Sequence, residues 1–252
     1  MTAAMTGKVA LITGGGSGIG RAACLAFARA GASVVVADIV AQGGNSTVEL
    51  IKDTGGEAVF VPTDVTVGKQ MQHLVQTAVD TYGGLDFAFN NAGIEGAQTG
   101  LVDCTEEEWQ RVIAVDLTGV WLCMKHEIPA MLQRGGGAIV NTSSVMGLVG
   151  APSIPGYIAA KHGVAGLTRE AALEFARSNI RVNAVCPGAI HTPMIDRLLA
   201  AGTSEEFLTA PQAIARLGKP EEIAAAVVWL CSDAAAFVTG VAMPVDGGWM
   251  AQ

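Results

Sequence analysis

Short, continuous runs of apolar residues recur along the chain, each separated from the next by a longer stretch with helical spacing. The first runs are KVALIT at 8–13, SVVVAD at 33–38, AVFVP at 58–62 and LDFAFNNAG at 85–93. AIVNTS at 138–143, RVNAVC at 181–186 and the segment 241–245 follow. A run of this length, bounded by glycine, proline or asparagine, fits a strand buried on both faces. Between the runs, residues 21–30, 67–82, 105–134, 155–178 and 220–231 carry helix-forming patterns; Gly31 closes the first and Pro155 opens the fourth. Strand and helix alternate throughout, which predicts right-handed crossovers and an α/β, doubly wound parallel sheet of about seven strands with helices on both faces. Residues 188–218 break the rhythm. Pro187 and Gly188 open an irregular segment that is long for a connection inside a compact domain, and it is expected to form a substrate lid.

Composition narrows the partners. No repeat, low-complexity tract or linker interrupts the 252 residues, so 1–252 reads as a single domain. Half of the residues are hydrophobic and only 15% are charged, which predicts more apolar surface than one copy can bury, hence an oligomer. The net charge of −8 and the lack of any basic cluster argue against nucleic acid or an anionic membrane as partner. The five cysteines are odd in number and lack metal-ligand spacing, so reduced thiols, a cytoplasmic location and no metal are expected. The N-terminus lacks a signal-peptide pattern, and the apolar run 223–231 is too short to span a bilayer.

Two stretches carry chemistry. TGGGSGIG at 13–20 follows the first predicted strand and opens the first helix, where glycines allow a tight turn and a close approach of backbone to a pyrophosphate. Such a turn alone is weak evidence. Asp38 ends the second strand, 18 residues after Gly20, where an acid that grips a ribose belongs. Together they predict a dinucleotide site on a Rossmann-like fold. Arg21 follows the cluster in place of the Gly-Lys-Ser/Thr of a P-loop, and a methyltransferase would have no need of the residues that come next. Tyr157 and Lys161 lie four apart in a helix opened by Pro155, hence on one face. The spacing is common and by itself fits an ordinary helix surface. Beside a nucleotide site it implies a phenol under a cation, with its titration brought down from pH ~10 toward the range of proton exchange with an alcohol or carbonyl.

These residues resemble the short-chain dehydrogenase/reductase family over nearly the whole chain. TGGGSGIG is similar to its coenzyme turn, which implies contacts from Gly14, Ser17, Gly18, Ile19 and Gly20; Asp64, with Val65, is similar to its adenine contact. NNAG at 90–93 resembles its sheet-stabilising motif, with Asn91 beside the coenzyme, and DGG at 246–248 its usual ending. PGAIHTP at 187–193 resembles its nicotinamide-side segment, which implies Pro187, Gly188, Ile190 and Thr192 as coenzyme contacts, Thr192 holding the carboxamide. Ser144, Tyr157 and Lys161 match its catalytic set, with Lys161 and Tyr157 also at the nicotinamide ribose; Ser143 is then the neighbour on the opposite side of the strand. The family usually has Asn in the helix before the catalytic strand, and Asp116 stands there in VDLTG; the resemblance implies a proton relay to solvent at this position, which the Asp carbonyl can still serve while its side chain alters the pH dependence. The resemblance implies a homotetramer.

The expected activity is NAD-dependent hydride transfer between the nicotinamide and a small secondary alcohol or its ketone, cyclic or apolar. Glu95, Ser144, Met146, Val149, Tyr157, His191, Met194, Leu198 and Leu199 are the expected substrate contacts, an apolar set with few polar anchors. Oxoacyl-carrier, sugar and steroid dehydrogenases of the same family are the alternative substrate classes, and a dinucleotide-binding regulator without turnover is the alternative of a different kind. His73, His126 and His162 are read as ordinary helix positions, and Glu106–Glu108 after Thr105 as the first turn of a capped helix.

Overall fold

A computed structural model of the protein describes residues 5–251. Seven strands, β1 (Val9–Thr13), β2 (Ser33–Asp38), β3 (Ala58–Pro62), β4 (Phe87–Asn90), β5 (Gly137–Thr142), β6 (Ile180–Pro187) and β7 (Ala242–Val245), form one sheet in the order β3-β2-β1-β4-β5-β6-β7. Every pairing is parallel, as the alternation of elements predicts. The helices between and after them are α1 (Gly18–Arg29), α2 (Ala41–Asp53), α3 (Gly68–Tyr82), α4 (Glu106–Ile113), α5 (Gly119–Arg134), α6 (Pro155–Phe175), α7 (Pro193–Ala200), α8 (Glu205–Thr209) and α9 (Pro220–Cys231).

Strand periodicity divides the core. Val9, Leu11, Val35, Ala37, Val61 and Ile139 face one layer, packed with α3, α5 and α6. Ala10, Ile12, Val34, Val36, Ala58 and Val140 face the other, packed with α1, α2 and α9. Alternate residues of each strand thus point to opposite layers and both are covered, which is why the strands read as unbroken apolar runs. The chain winds outward from β1 to β3, then returns to place β4 on the other side of β1. That reversal leaves a crevice at the carboxyl ends of β1 and β4, where open α/β sheets bind ligands.

The structure departs from the sequence pattern in three places. The helical stretch expected at 105–134 forms from Glu106 to Arg134 but is not uniform: α4 runs into α5 through a π-helical turn, Ala114–Thr118. The wider turn accompanies an inward-facing Asp116, fully buried, and a close approach of Gly119, where a Cβ would lie 2.8 Å from Val65 Cγ2. Second, β4 ends at Asn90, because the backbone N–H groups of Asn91 and Ala92 both turn to Thr13 Oγ1, at 3.0 and 3.1 Å. Third, the segment after β6 is less irregular than expected. Thr192 caps α7, with Pro193 in its first turn, and Ser204 caps α8.

Candidate active site

The glycine turn joins β1 to α1. Gly14 and Gly18 adopt φ of +64° and +47°, a region that side chains disfavour, and a Cβ at Gly14 would lie 2.9 Å from Asn91 Nδ2. A Cβ at Gly20 would overlap the Gly14 carbonyl, so the turn packs directly on the start of α1. Asn91 Nδ2 donates to Thr13 O at 3.1 Å and tethers the turn to the end of β4. Asp38 ends β2 with both oxygens oriented: Oδ2 accepts from Gly16 N at 2.9 Å and Oδ1 from Val40 N at 2.8 Å. Arg21 lies close by, but its guanidinium is directed to Thr47 and to the carbonyls of Gly16 and Gly43. Asp64 Oδ1 accepts from the backbone and hydroxyl of Thr66, and Val65 is buried against Gly119. A bare backbone cradle backed by a carboxylate fits the pyrophosphate and ribose of a dinucleotide.

The second cluster forms where β5 ends. Ser144 follows the strand, 8% exposed, and its Oγ accepts from Met146 N at 3.1 Å. Ser143 points the other way and donates to the Lys161 carbonyl at 2.8 Å, which fastens β5 to α6. Tyr157 and Lys161 share one face of α6, with Lys161 Nζ 5.3 Å from the centre of the Tyr157 ring. Lys161 is buried; Nζ donates to Thr142 O at 3.1 Å and pairs with Asp116 Oδ2 at 3.1 Å. The other Asp116 oxygen accepts from Ile94 N at 2.9 Å. Asp116 is therefore a buried partner of the lysine and has no solvent-facing side chain.

The electrostatics correct one expectation. Burial raises the Tyr157 phenol above its ordinary value, with Asp116 adding to the rise; Lys161 and Ser144 pull it down but do not prevail. Lys161 is held charged: burial opposes the ammonium, yet Asp116 and Tyr157 raise it above its ordinary value. Burial also raises Asp116, against the pull of Lys161 and the Ile94 N–H. A cation four residues away on a helix lowers a phenol only when desolvation and a second acid do not outweigh it.

Of the other predicted contacts, Pro187 ends β6 and Gly188 packs against Asp246 and Gln212. The Thr192 hydroxyl donates to Ile190 O at 3.2 Å, and its methyl is 3.2 Å from where a Cβ on Gly18 would sit, so this segment closes on the glycine turn. Met146, Val149, Met194, Leu198 and Leu199 are partly buried. Glu95 is engaged by Arg197, and His191 is exposed and lies 3.1 Å from Asp196. The sequence pattern did not point to three supporting residues. Thr13 organises the NNAG segment, Gln212 Oε1 accepts from Ala189 N at 2.7 Å, and Glu127 lies fully buried behind Asn90. Only the Thr13 position is hinted at in sequence, by its place at the start of the glycine turn.

The fold and these two clusters define an oxidoreductase of the dinucleotide-binding class. A family model described as enoyl-(acyl carrier protein) reductase matches residues 14–250, and the chain belongs to the short-chain dehydrogenase/reductase family. It is 48% identical to cyclohexanol dehydrogenase of Acinetobacter sp. (strain SE19), over 96% of this chain and 94% of that protein. It is 45% identical to cis-4-hydroxycyclohexanecarboxylate dehydrogenase of Sinomonas cyclohexanicum, with both chains covered in full. The crystal structure of carveol dehydrogenase from Mycobacterium avium in complex with NAD superposes with a TM-score of 0.94 at 33% identity, covering 99% of each chain.

Asp116 yields the first prediction. Its charge opposes phenolate formation at Tyr157, so Asp116→Asn should retain turnover and move the apparent pKa for alcohol oxidation downward. A pH-rate profile checks this; an upward shift, or a folded but inactive variant, contradicts it.

Proposed function

We propose that the protein interconverts a neutral, cyclic secondary alcohol and its ketone with NAD. The convergence of Ser144, Tyr157 and Lys161 at the end of β5 carries this reading. The two relatives named for ring alcohols support the cyclic class, and since one of them is named for a ring carboxylate, the neutral class rests on the relative named for cyclohexanol and on the apolar lining of the site. When bound, the coenzyme supplies or takes up the hydride. Ser144 donates a hydrogen bond to the substrate oxygen and holds the charge that develops there. Tyr157 gives its phenolic proton to that oxygen in reduction and accepts it in oxidation. Lys161, whose charge both Asp116 and Tyr157 support, favours the phenolate between proton transfers, and it would hold the nicotinamide ribose when the coenzyme is bound. The partly buried Met146, Val149, Met194 and Leu198 give the ring an apolar surface. Residues 188–218 act as the lid, and the partly exposed Trp121 with Leu117 and Leu167 around Gly163 suits a second copy of the chain in a tetramer. The test is absorbance of reduced nicotinamide with a panel of cyclic alcohols and ketones; no turnover with any of them defeats the proposal.

Coenzyme choice follows from Asp38. Its oriented oxygens suit two ribose hydroxyls and would oppose the 2′-phosphate of NADP, while the neighbours Ile39 and Val40 are exposed and uncharged. Like-charge juxtaposition costs several kcal/mol, and ~3 kcal/mol corresponds to about a hundredfold preference for NAD. Comparable kcat/KM with the two coenzymes would refute it.

A further inference from the structure

Glu95 and Arg197 meet across 102 residues of sequence. Arg197 Nε and Nη2 donate to the two Glu95 carboxylate oxygens at 2.8 and 2.9 Å, a bidentate fork. Glu95 stands two residues beyond Gly93, where a Cβ would lie 3.4 Å from Lys161 Nζ, and next to Ile94, whose N–H donates to Asp116. Arg197 projects from α7, one turn beyond Thr192, and α7 also carries Met194 and Leu198. The bridge therefore lies on the rim of the reaction centre, and the charge of Glu95 is felt by Tyr157 itself. A guanidinium in this position would suit a carboxylate on a substrate ring. Glu95 already fills the fork, and an incoming carboxylate would have to displace it and then face its charge.

We propose that Glu95 sets the charge class of the substrate: by occupying Arg197 it reserves the site for uncharged ring alcohols and ketones and withholds an anchor from ring carboxylates. The inference rests on the substrate reading above, and binding separates the two. Cyclohexanecarboxylate and the neutral cyclohexanecarboxamide, neither with a hydroxyl to oxidise, are titrated calorimetrically into the NAD-saturated protein. The Glu95→Gln variant should bind the carboxylate at least tenfold tighter than the wild type, with the carboxamide changed less than threefold. Arg197→Gln leaves the Glu95 charge unpaired at the rim and should therefore weaken the carboxylate selectively, and the double variant should lose the gain of Glu95→Gln. A carboxylate affinity within twofold of wild type in Glu95→Gln, equal gains for both ligands as expected of a mechanical strap, or no binding of either ligand to any variant would overturn the inference. In turnover, kcat/KM for cis-4-hydroxycyclohexanecarboxylate relative to cyclohexanol should rise in Glu95→Gln. Failure of the wild type to oxidise any neutral ring alcohol would instead defeat the substrate reading, while the calorimetry still reports on Glu95.

Discussion

Tyr157→Phe should lower kcat by roughly 10²- to 10⁴-fold, the range for loss of a positioned general acid or base, and leave coenzyme binding nearly intact. The phenyl ring fills the same space, so the apolar contacts of α6 survive, and Lys161 keeps its bonds to Thr142 and Asp116. What disappears is the phenol that exchanges a proton with the substrate oxygen. Ser144 can donate to that oxygen, but an aliphatic hydroxyl is a far weaker acid than a phenol, and Lys161 is directed to Thr142 O and Asp116. Single-turnover absorbance measures the chemical step, and quenching of protein fluorescence by the reduced coenzyme measures binding. A variant that keeps more than about a tenth of wild-type turnover where chemistry limits the rate would remove Tyr157 from the mechanism.

Glu127→Gln should change the pH dependence of stability. Glu127 is fully buried; its Oε2 accepts from Asn90 Nδ2 at 3.0 Å, and among the described residues Oε1 has no hydrogen-bond partner. Burial raises its pKa from 4.5 to about 8, with the Asn90 bond opposing the rise. The unfolded chain ionises this acid near its ordinary value while the folded protein keeps it protonated. The unfolded state therefore binds fewer protons between the two values, and stability falls as pH rises from about 4.5 toward 8. At ~1.4 kcal/mol for each pKa unit the loss across that window is on the order of several kcal/mol. Glutamine has the same shape and does not titrate, so the variant should lose much less stability over the same window. Urea midpoints for both proteins, compared from the acid side of that window to its alkaline side, check the prediction, and parallel curves would refute it.

Much of the fold was legible because the sheet is covered on both sides. Strands such as SVVVAD have no solvated face, so each appears as an apolar run, and seven such runs with helical stretches between them leave few topologies. The cap at Thr105 and the helix start at Pro155 were equally local, as was the glycine turn. The π-helical turn between α4 and α5 was not legible, because the pairing of its Asp116 with Lys161 joins residues far apart in sequence. The same holds for Arg197, which nothing near it in the chain connects to Glu95.

The sequence by itself determined the strand and helix pattern, the glycine turn with Asp38 at the end of the next strand, and the Tyr157–Lys161 pair on one helix face, since each depends on residue type and spacing within one or two neighbouring elements, while the resemblance to the family added Ser144. Tertiary structure alone decided the charge state of that constellation. Whether Lys161 lowers the Tyr157 phenol depends on how much water reaches the ring and on which acid lies beside the ammonium, and both are set by the packing of α6 against β5 and the π-helical turn. Spacing along a chain fixes which groups can meet, whereas desolvation and long-range pairing fix the free energy of their charges.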